Sequence, residues 1–374
     1  MIFTNTMRLI LKTNRLPLLL IWGIVQSYLL YHNGVNTSGE FLRFLQEANH
    51  LIHHEEFTTP IYFMYSIQIG LIYLKLMTHS SFFFIITLQL IVNVIALFYY
   101  FSLLEYIYHS EKAALFGSIL LVLCTPYQIY NTYLYTESLF FSFSIIYSYY
   151  LLRITDVNSK KIGLLFFFII LLCLTRPTGI FFFGATIFYL FIKTKEIGSY
   201  RTRILTLIAL SLVGILILNA MMKSGQGVNV LLPFQEEHII CDIRTVLSPA
   251  KAVEISDSSL FSLLQYIFTH KIQFLRLSYL RTMAFFGIMR SYYSTIHNIF
   301  IGGFFYALYA SAIYGLYITR KKYQLLKYYA LSLIGIFWLA VIFSCDEWHS
   351  RFFLTLTPFI IMLALLPFNR RDII

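Results

Sequence analysis

Pro60-Ile61-Tyr62-Phe63-Met64-Tyr65-Ser66-Ile67-Gln68-Ile69-Gly70-Leu71-Ile72-Tyr73-Leu74-Lys75-Leu76-Met77 is apolar enough to pass for a membrane span, and how it is read decides the fold. If it crosses a bilayer, every loop after it changes side. If it lies along the surface, the short loops on one side of the membrane hold 17 Lys and Arg residues. The short segments on the other side then hold 4, namely Arg43, Lys75, Arg176 and Arg351. Crossing would turn the positive clusters outward, against the preference of Lys and Arg for cytoplasmic loops. The segment is therefore expected to lie in the outer interface as an amphipathic or re-entrant helix. Both termini are then cytoplasmic.

The rest of the 374-residue chain fits a membrane reading. It is 59% hydrophobic and 12% charged, about half the charge of an ordinary soluble domain. No soluble core of this length hides so much apolar surface, which excludes a soluble enzyme, a disordered chain and a small disulfide-framed secreted domain. The apolar runs are long and unbroken, unlike the alternating strands of a membrane barrel. Ten runs are expected to span: 16–33, 82–104, 113–130, 138–153, 162–175, 179–192, 203–222, 299–319, 325–344 and 352–367, the fifth and sixth being short and paired as a hairpin. The first has no cleavage site behind it and reads as an uncleaved anchor. The fold class is thus an all-α polytopic membrane bundle with interfacial helices in the first outer loop. Its organisation is expected to be a core, 1–222, with first outer loop 34–81, then a long outer loop, 223–298, and C-terminal spans, 299–374.

The net charge of +11 belongs to the topology signal, so no nucleic-acid partner is implied. The inner loops carry no Gly-rich phosphate loop, and the polar residues of chemical interest gather in outer segments. Four cysteines show no metal spacing, and whether Cys241 and Cys345 pair on an oxidising outer side stays open.

Five outer stretches carry the candidate chemistry. In Gly39-Glu40-Phe41-Leu42-Arg43-Phe44-Leu45-Gln46-Glu47-Ala48-Asn49-His50, helical spacing puts Glu40, Phe44 and Ala48 on one face. It also sets Arg43 four residues before Glu47, as for a solvated ion pair. Glu40 is the candidate general base. Tyr133-Leu134-Tyr135-Thr136-Glu137-Ser138 places a second acid at the outer end of a span, where a carboxylate faces a cavity rather than lipid. Leu174-Thr175-Arg176-Pro177-Thr178-Gly179 turns the chain between two runs with an Arg at membrane depth. Asp346-Glu347-Trp348-His349-Ser350-Arg351-Phe352-Phe353 precedes a span with Pro358. In the long loop, Arg276, Arg281 and Arg290 are candidates for a lipid phosphate. Tyr292, Tyr293, Ser294, His297 and Asn298 offer rings and hydrogen bonds to a sugar, and His349 is a further candidate for binding substrate or lipid phosphate.

The order and spacing of these stretches resemble the GT-C glycosyltransferases, the superfamily of the protein O-mannosyltransferases and the lipid A aminoarabinose transferase. Glu40, Phe44 and Ala48 match its first-loop motif, with Glu40 where Asp is usual. Thr59-Pro60-Ile61-Tyr62 resembles its Pro-led juxtamembrane segment, Glu137 its second outer acid, and Arg351, followed by Phe352 where Tyr is usual, its late motif. The resemblance implies an inverting transfer of a sugar from a polyprenyl-phosphate donor to a glycan, lipid or protein acceptor on the outer face. Glu40 and Glu137 would be catalytic, and Arg176 and Arg351 would stabilise the departing phosphate. Two acids can share a divalent cation, and the superfamily includes members that need none, so the metal stays open. The expected setting is the bacterial inner membrane and the building of cell-envelope glycans. The readings set beside it are a polyisoprenoid-glycan flippase and a Wzy-like polymerase.

The charge count has a direct check. A cysteine introduced at 320–323 is expected to resist a membrane-impermeant thiol reagent in intact cells, and one placed near residue 40 to react. Labelling at 320–323 from outside means that Pro60–Met77 crosses.

Overall fold

A computed structural model describes residues 15–54, 56–154, 159–193, 232–241, 260–319 and 322–368. The expected span 203–222 and the loop segments 223–231 and 242–259 lie outside them. The described chain is helical throughout, and its extended pairing is confined to two isolated parallel bridges, Asn36 with Tyr133 and Ile240 with Asp346. Four helices are long and apolar enough to cross a membrane: Pro60–Met77, Phe83–Tyr108, Thr295–Ile318 and Gln324–Ile342. Two bent pairs raise the number to six if each counts as one span. The architecture is therefore all-α with four to six candidate spans. By length and composition Pro60–Met77 is among them; the charge count is a separate argument, about sides.

Span 203–222 apart, the expected spans that fall short of a full crossing helix among the described residues do so for local reasons. Helix α1, Leu16–Asn33, has the length, but Gln26, His32 and Asn33 dilute it. The run expected at 113–130 breaks after helix Glu111–Leu123 and turns through 68° into 125–132, with Pro126 seated in the first turn of the new segment, where its missing N–H costs nothing. The run at 352–367 is likewise two helices, Arg351–Leu354 and Thr357–Leu365, the second opening with Pro358. Ser159–Thr175 and Gly179–Lys193 have 17 and 15 residues. At about 1.5 Å per residue, both fall short of a hydrocarbon core about 30 Å thick.

The chain divides into two compact units. The first comprises residues up to Phe183 with Leu308–Lys327 and Thr357–Ile374. After α1 come α2 (Glu40–His54), a 3₁₀ turn (Pro60–Tyr65), α3 (Ser66–Met77), α4 (Phe83–Tyr108), α5 (Glu111–Leu123), α6 (Glu137–Leu152) and α7 (Ser159–Thr175). Helix α4 packs on both α5 and α6, and α2 folds back on α3. Phe41, Phe44 and Ala48 of α2 bury against Ile69 and Ile72 of α3, Ile85 and Ile86 of α4, and Leu134. Buried amides and hydroxyls are joined in a chain. Gln26 donates to Gln128 (2.8 Å), Asn131 donates to the same oxygen (3.0 Å), and Ser138 donates to Asn131 (2.6 Å). Such pairing is what an apolar surrounding demands of polar side chains.

The second unit holds Gly184–Ala307 and Tyr328–Leu356. Helix α8 (Gly179–Lys193) enters it, and α9 (Leu260–Thr269) and α10 (Lys271–Gly287) form a helix pair around Phe234, Leu263, Tyr266 and Leu277. Helices α11 (Thr295–Ile318) and α12 (Gln324–Ile342) follow. Cys241 and Cys345, which the sequence leaves open, are joined in a disulfide across 104 residues of chain. Cys124 and Cys173 are free thiols. Alkylation of the denatured, unreduced protein is expected to add mass at Cys124 and Cys173 alone. Labelling at Cys241 or Cys345 without reductant would show that the pair is not formed in the cell.

Candidate functional site

In the first unit three of the sequence motifs come together at one end. The segment after α1 pairs with the segment before α6: Asn36 N–H donates to Thr132 O (2.9 Å), and Leu134 N–H donates to Asn36 O (3.3 Å). Tyr135 O–H donates to Ser38 O (2.9 Å). Gly39 lies at φ +61°, and a Cβ there would stand 2.4 Å from the Tyr135 hydroxyl, so this close approach requires glycine. Glu40, next in sequence, opens α2 and is half-buried.

Glu137 opens α6, where the helix dipole favours a negative charge, and its side chain is wholly buried. Its Oε1 accepts from Arg176 Nη1 at 2.5 Å, and its Oε2 accepts from Thr136 Oγ1 at 3.5 Å. The acid read as catalytic and the Arg read as a phosphate ligand are thus partners of each other. Arg176 sits in the turn between α7 and α8, where Gly179 N–H donates to Arg176 O (2.9 Å). A Cβ on Gly179 would fall 2.4 Å from the Leu172 carbonyl carbon, so glycine is what lets the chain reverse here.

One expectation about this unit is corrected. Glu47 is not half of a solvated pair with Arg43. Arg43 is exposed, while Glu47 is buried and takes two hydrogen bonds from Thr58, one from its N–H and one from its hydroxyl, each 2.6 Å. A carboxylate with two short donors gains more there than from an exposed i,i+4 cation.

The second unit uses its arginines as braces. Arg281 is fully buried over the Phe234 ring (4.5 Å), and its three nitrogens donate to the carbonyls of His238 (2.9 Å), Ile342 (2.8 Å) and Pro233 (2.8 Å). Burial lowers its pKa to about 10, which leaves it charged. Arg290 bonds Asp346, Ser350 Oγ (2.8 Å) and Ala284 O (2.8 Å). Burial raises the Asp346 carboxyl to about 6 against the pull of Arg290. Arg281 thus bonds within the protein through all three of its nitrogens and Arg290 through its two terminal ones, with Arg290 Nε buried and without an acceptor among the described residues, while Arg276 is exposed. Arg351 is buried and bonds Glu347 four residues before it (2.5 Å). His297 and His349 both pack against the half-buried Tyr293 ring, beside exposed Tyr292 and Trp348.

Asp346 and Trp348 are the residues to which the sequence assigns no role. A lone Asp beside a Cys and a Trp between an acid and a His were the available signals. Among the described residues no group of three or more His, Cys, Asp and Glu side chains is placed to hold a metal ion. Compared with protein-family models, curated proteins and solved structures, the chain matches none.

The buried pair makes a sharp stability prediction. Glu137→Gln or Arg176→Gln alone leaves a buried charge without its partner and is expected to cost about 3–5 kcal/mol. The double variant is expected to cost clearly less than the sum. Additive losses in thermal denaturation of the purified variants would mean that the two charges are not coupled.

Proposed function

We propose that this chain is an integral-membrane inverting glycosyltransferase of GT-C type. In this reading it has about ten spans with Pro60–Met77 in the outer interface, and it takes a sugar from a polyprenyl-phosphate donor. The observation that carries the reading is the convergence at one end of the first unit. The Asn36–Tyr133 bridge and the Gly39–Tyr135 contact bring the Glu40 and Glu137 motifs together, and the Glu137–Arg176 pair adds the third. The Cys241–Cys345 disulfide supports an oxidising side for the segments that the charge count places outside. That setting suits a bacterial inner membrane with its chemistry on the periplasmic face.

Glu40 is the base. It accepts the proton of the acceptor's hydroxyl or amine as that atom attacks the anomeric carbon. The bond from that carbon to the lipid-phosphate oxygen breaks, and the phosphate leaves with the electron pair. Inversion follows from attack opposite the leaving group. The Glu137–Arg176 pair positions the neighbouring backbone, a change from the free phosphate-binding Arg that the sequence suggests. Within the second unit, Arg351 and the exposed Arg276 are the candidates for a lipid-phosphate contact. A fixed guanidinium stabilises a departing phosphate without reorganisation. No residues are assigned to a metal.

Glu40→Gln keeps shape and hydrogen bonding but accepts no proton. With polyprenyl-phosphate sugars in proteoliposomes it is expected to lose about 10²–10⁴ in turnover with unchanged melting temperature. Glu47→Gln is expected to melt lower yet retain turnover per folded molecule, because its carboxylate holds Thr58. Wild-type turnover in Glu40→Gln overturns its assignment.

A further inference from the structure

We propose that the exposed ring surface of the second unit, built from Tyr292, Tyr293, His297, Trp348 and His349, is a binding platform for a pyranose-containing glycan. The inference deepens the transferase reading and rests on it for the class of ligand. The rings are organised among themselves. His297 stacks on Tyr293 at 4.6 Å and 30°, and His349 lies nearly parallel to Tyr293 at 5.8 Å and 13°. Tyr292 meets Trp348 at 5.5 Å and 35°. Tyr292 is nevertheless 41% exposed and Trp348 37% exposed, and His297 and His349 are exposed too.

The polar atoms are threaded through the same surface. The Tyr293 hydroxyl bonds His349 Nδ1 at 2.9 Å, and the His349 N–H donates to the Tyr292 hydroxyl at 3.3 Å. The surface is also braced from beneath. Arg290 holds Ser350 directly behind His349, and the Arg290 backbone is locked to Asn298 by two hydrogen bonds of 3.0 and 2.8 Å. His349 and Ser350 both take left-handed backbone, at φ 55° each, a strained conformation that the bracing sustains.

This chemistry matches a pyranose better than an acyl chain. A pyranose has one face of C–H groups, which packs on an aromatic ring, and a rim of hydroxyls, which exchange hydrogen bonds with phenol and imidazole. A hydrocarbon chain covers the rings but offers nothing to the hydroxyl and imidazole atoms set among them. A rigid, pre-formed ring surface also spares a bound sugar the cost of ordering it.

The test uses the full-length protein in phosphatidylcholine nanodiscs. The probes are soluble trisaccharides of glucose, mannose, galactose and N-acetylglucosamine at millimolar concentration, with binding read by saturation-transfer NMR on the sugar protons. At least one probe is expected to receive saturation at its C–H face. Tyr293→Ala or Trp348→Ala is expected to weaken its binding about tenfold, the size of one lost aromatic contact, and Trp348→Tyr to restore most of it. Saturation transfer to none of the probes overturns the platform. So does binding unchanged in both Ala variants. Strong quenching of Trp348 emission by acyl-brominated lipids, defined against Trp348→Phe, also overturns it and makes the rings a membrane anchor. The two readings separate cleanly. Sugar binding in a wild type that transfers nothing leaves the platform and removes the transferase. Turnover and sugar affinity both indifferent to the ring variants do the reverse.

Discussion

The contact between Glu137 and Arg176 ties the first turn of α6 to the last turn of α7, and much of the first unit's geometry follows from it. Neither charge is affordable alone at this burial, since an unpaired ion in a low-dielectric interior costs several kcal/mol. Paired, they fix which ends of two antiparallel helices lie level. The turn carrying Arg176 must then be tight, which Gly179 permits by letting the new helix pass against the Leu172 backbone. The strand-like segment before Glu137 is held in turn by Asn36, so the start of α2 has a fixed address beside it. Glu40 therefore stands on a short, backbone-anchored arm rather than a loose loop, the rigidity that its proposed role as base calls for.

The second unit solves the same problem of buried polarity without a carboxylate for each arginine. Arg281 spreads one charge over three carbonyl oxygens that loop and helix-end geometry leaves available, and the Phe234 ring covers its face. Five fixed donors in a plane suit an Arg to this task in a way that a Lys point charge does not. The disulfide joins the same two stretches that Arg281 and the Ile240–Asp346 bridge hold, so covalent and hydrogen-bonded restraints coincide. Cross-linking there removes the loop-closure entropy of a 104-residue separation from the unfolded chain.

How far the sequence reaches depends on how local each cause is. The α7–α8 hairpin was legible because an Arg-Pro-x-Gly turn punctuates it, and Glu40, Glu137 and Arg176 stand out in the sequence as charges at the edges of apolar runs. The long-range pairs were hidden. Glu47 has a cation at i−4, and that local rule concealed a partner eleven residues ahead, in Thr58. Arg281 and Arg290 sit in a basic, aromatic stretch suited to lipid headgroups, yet their acceptors come from residues up to 61 positions away. Spans 113–130 and 352–367 read as continuous because hydropathy ignores the prolines that open their second halves. A window average sees composition, and a helix break is set by one missing N–H.

The stretch Cys345 to Arg351 shows how one short segment serves inward and outward demands together. Cys345 is bound to Cys241, Asp346 and Ser350 both meet the same Arg290 nitrogen, and Glu347 reaches Arg351. Between Asp346 and Ser350 runs a short 3₁₀ turn, and His349 and Ser350 take left-handed backbone there. Trp348 and His349 of that turn are exposed, while Asp346 and Ser350 at its two ends are buried. The same turn thus buries Asp346 and Ser350 on the Arg290 guanidinium and leaves the Trp348 and His349 rings exposed, and the bonds from Arg290 hold a left-handed backbone at a residue pair with no glycine.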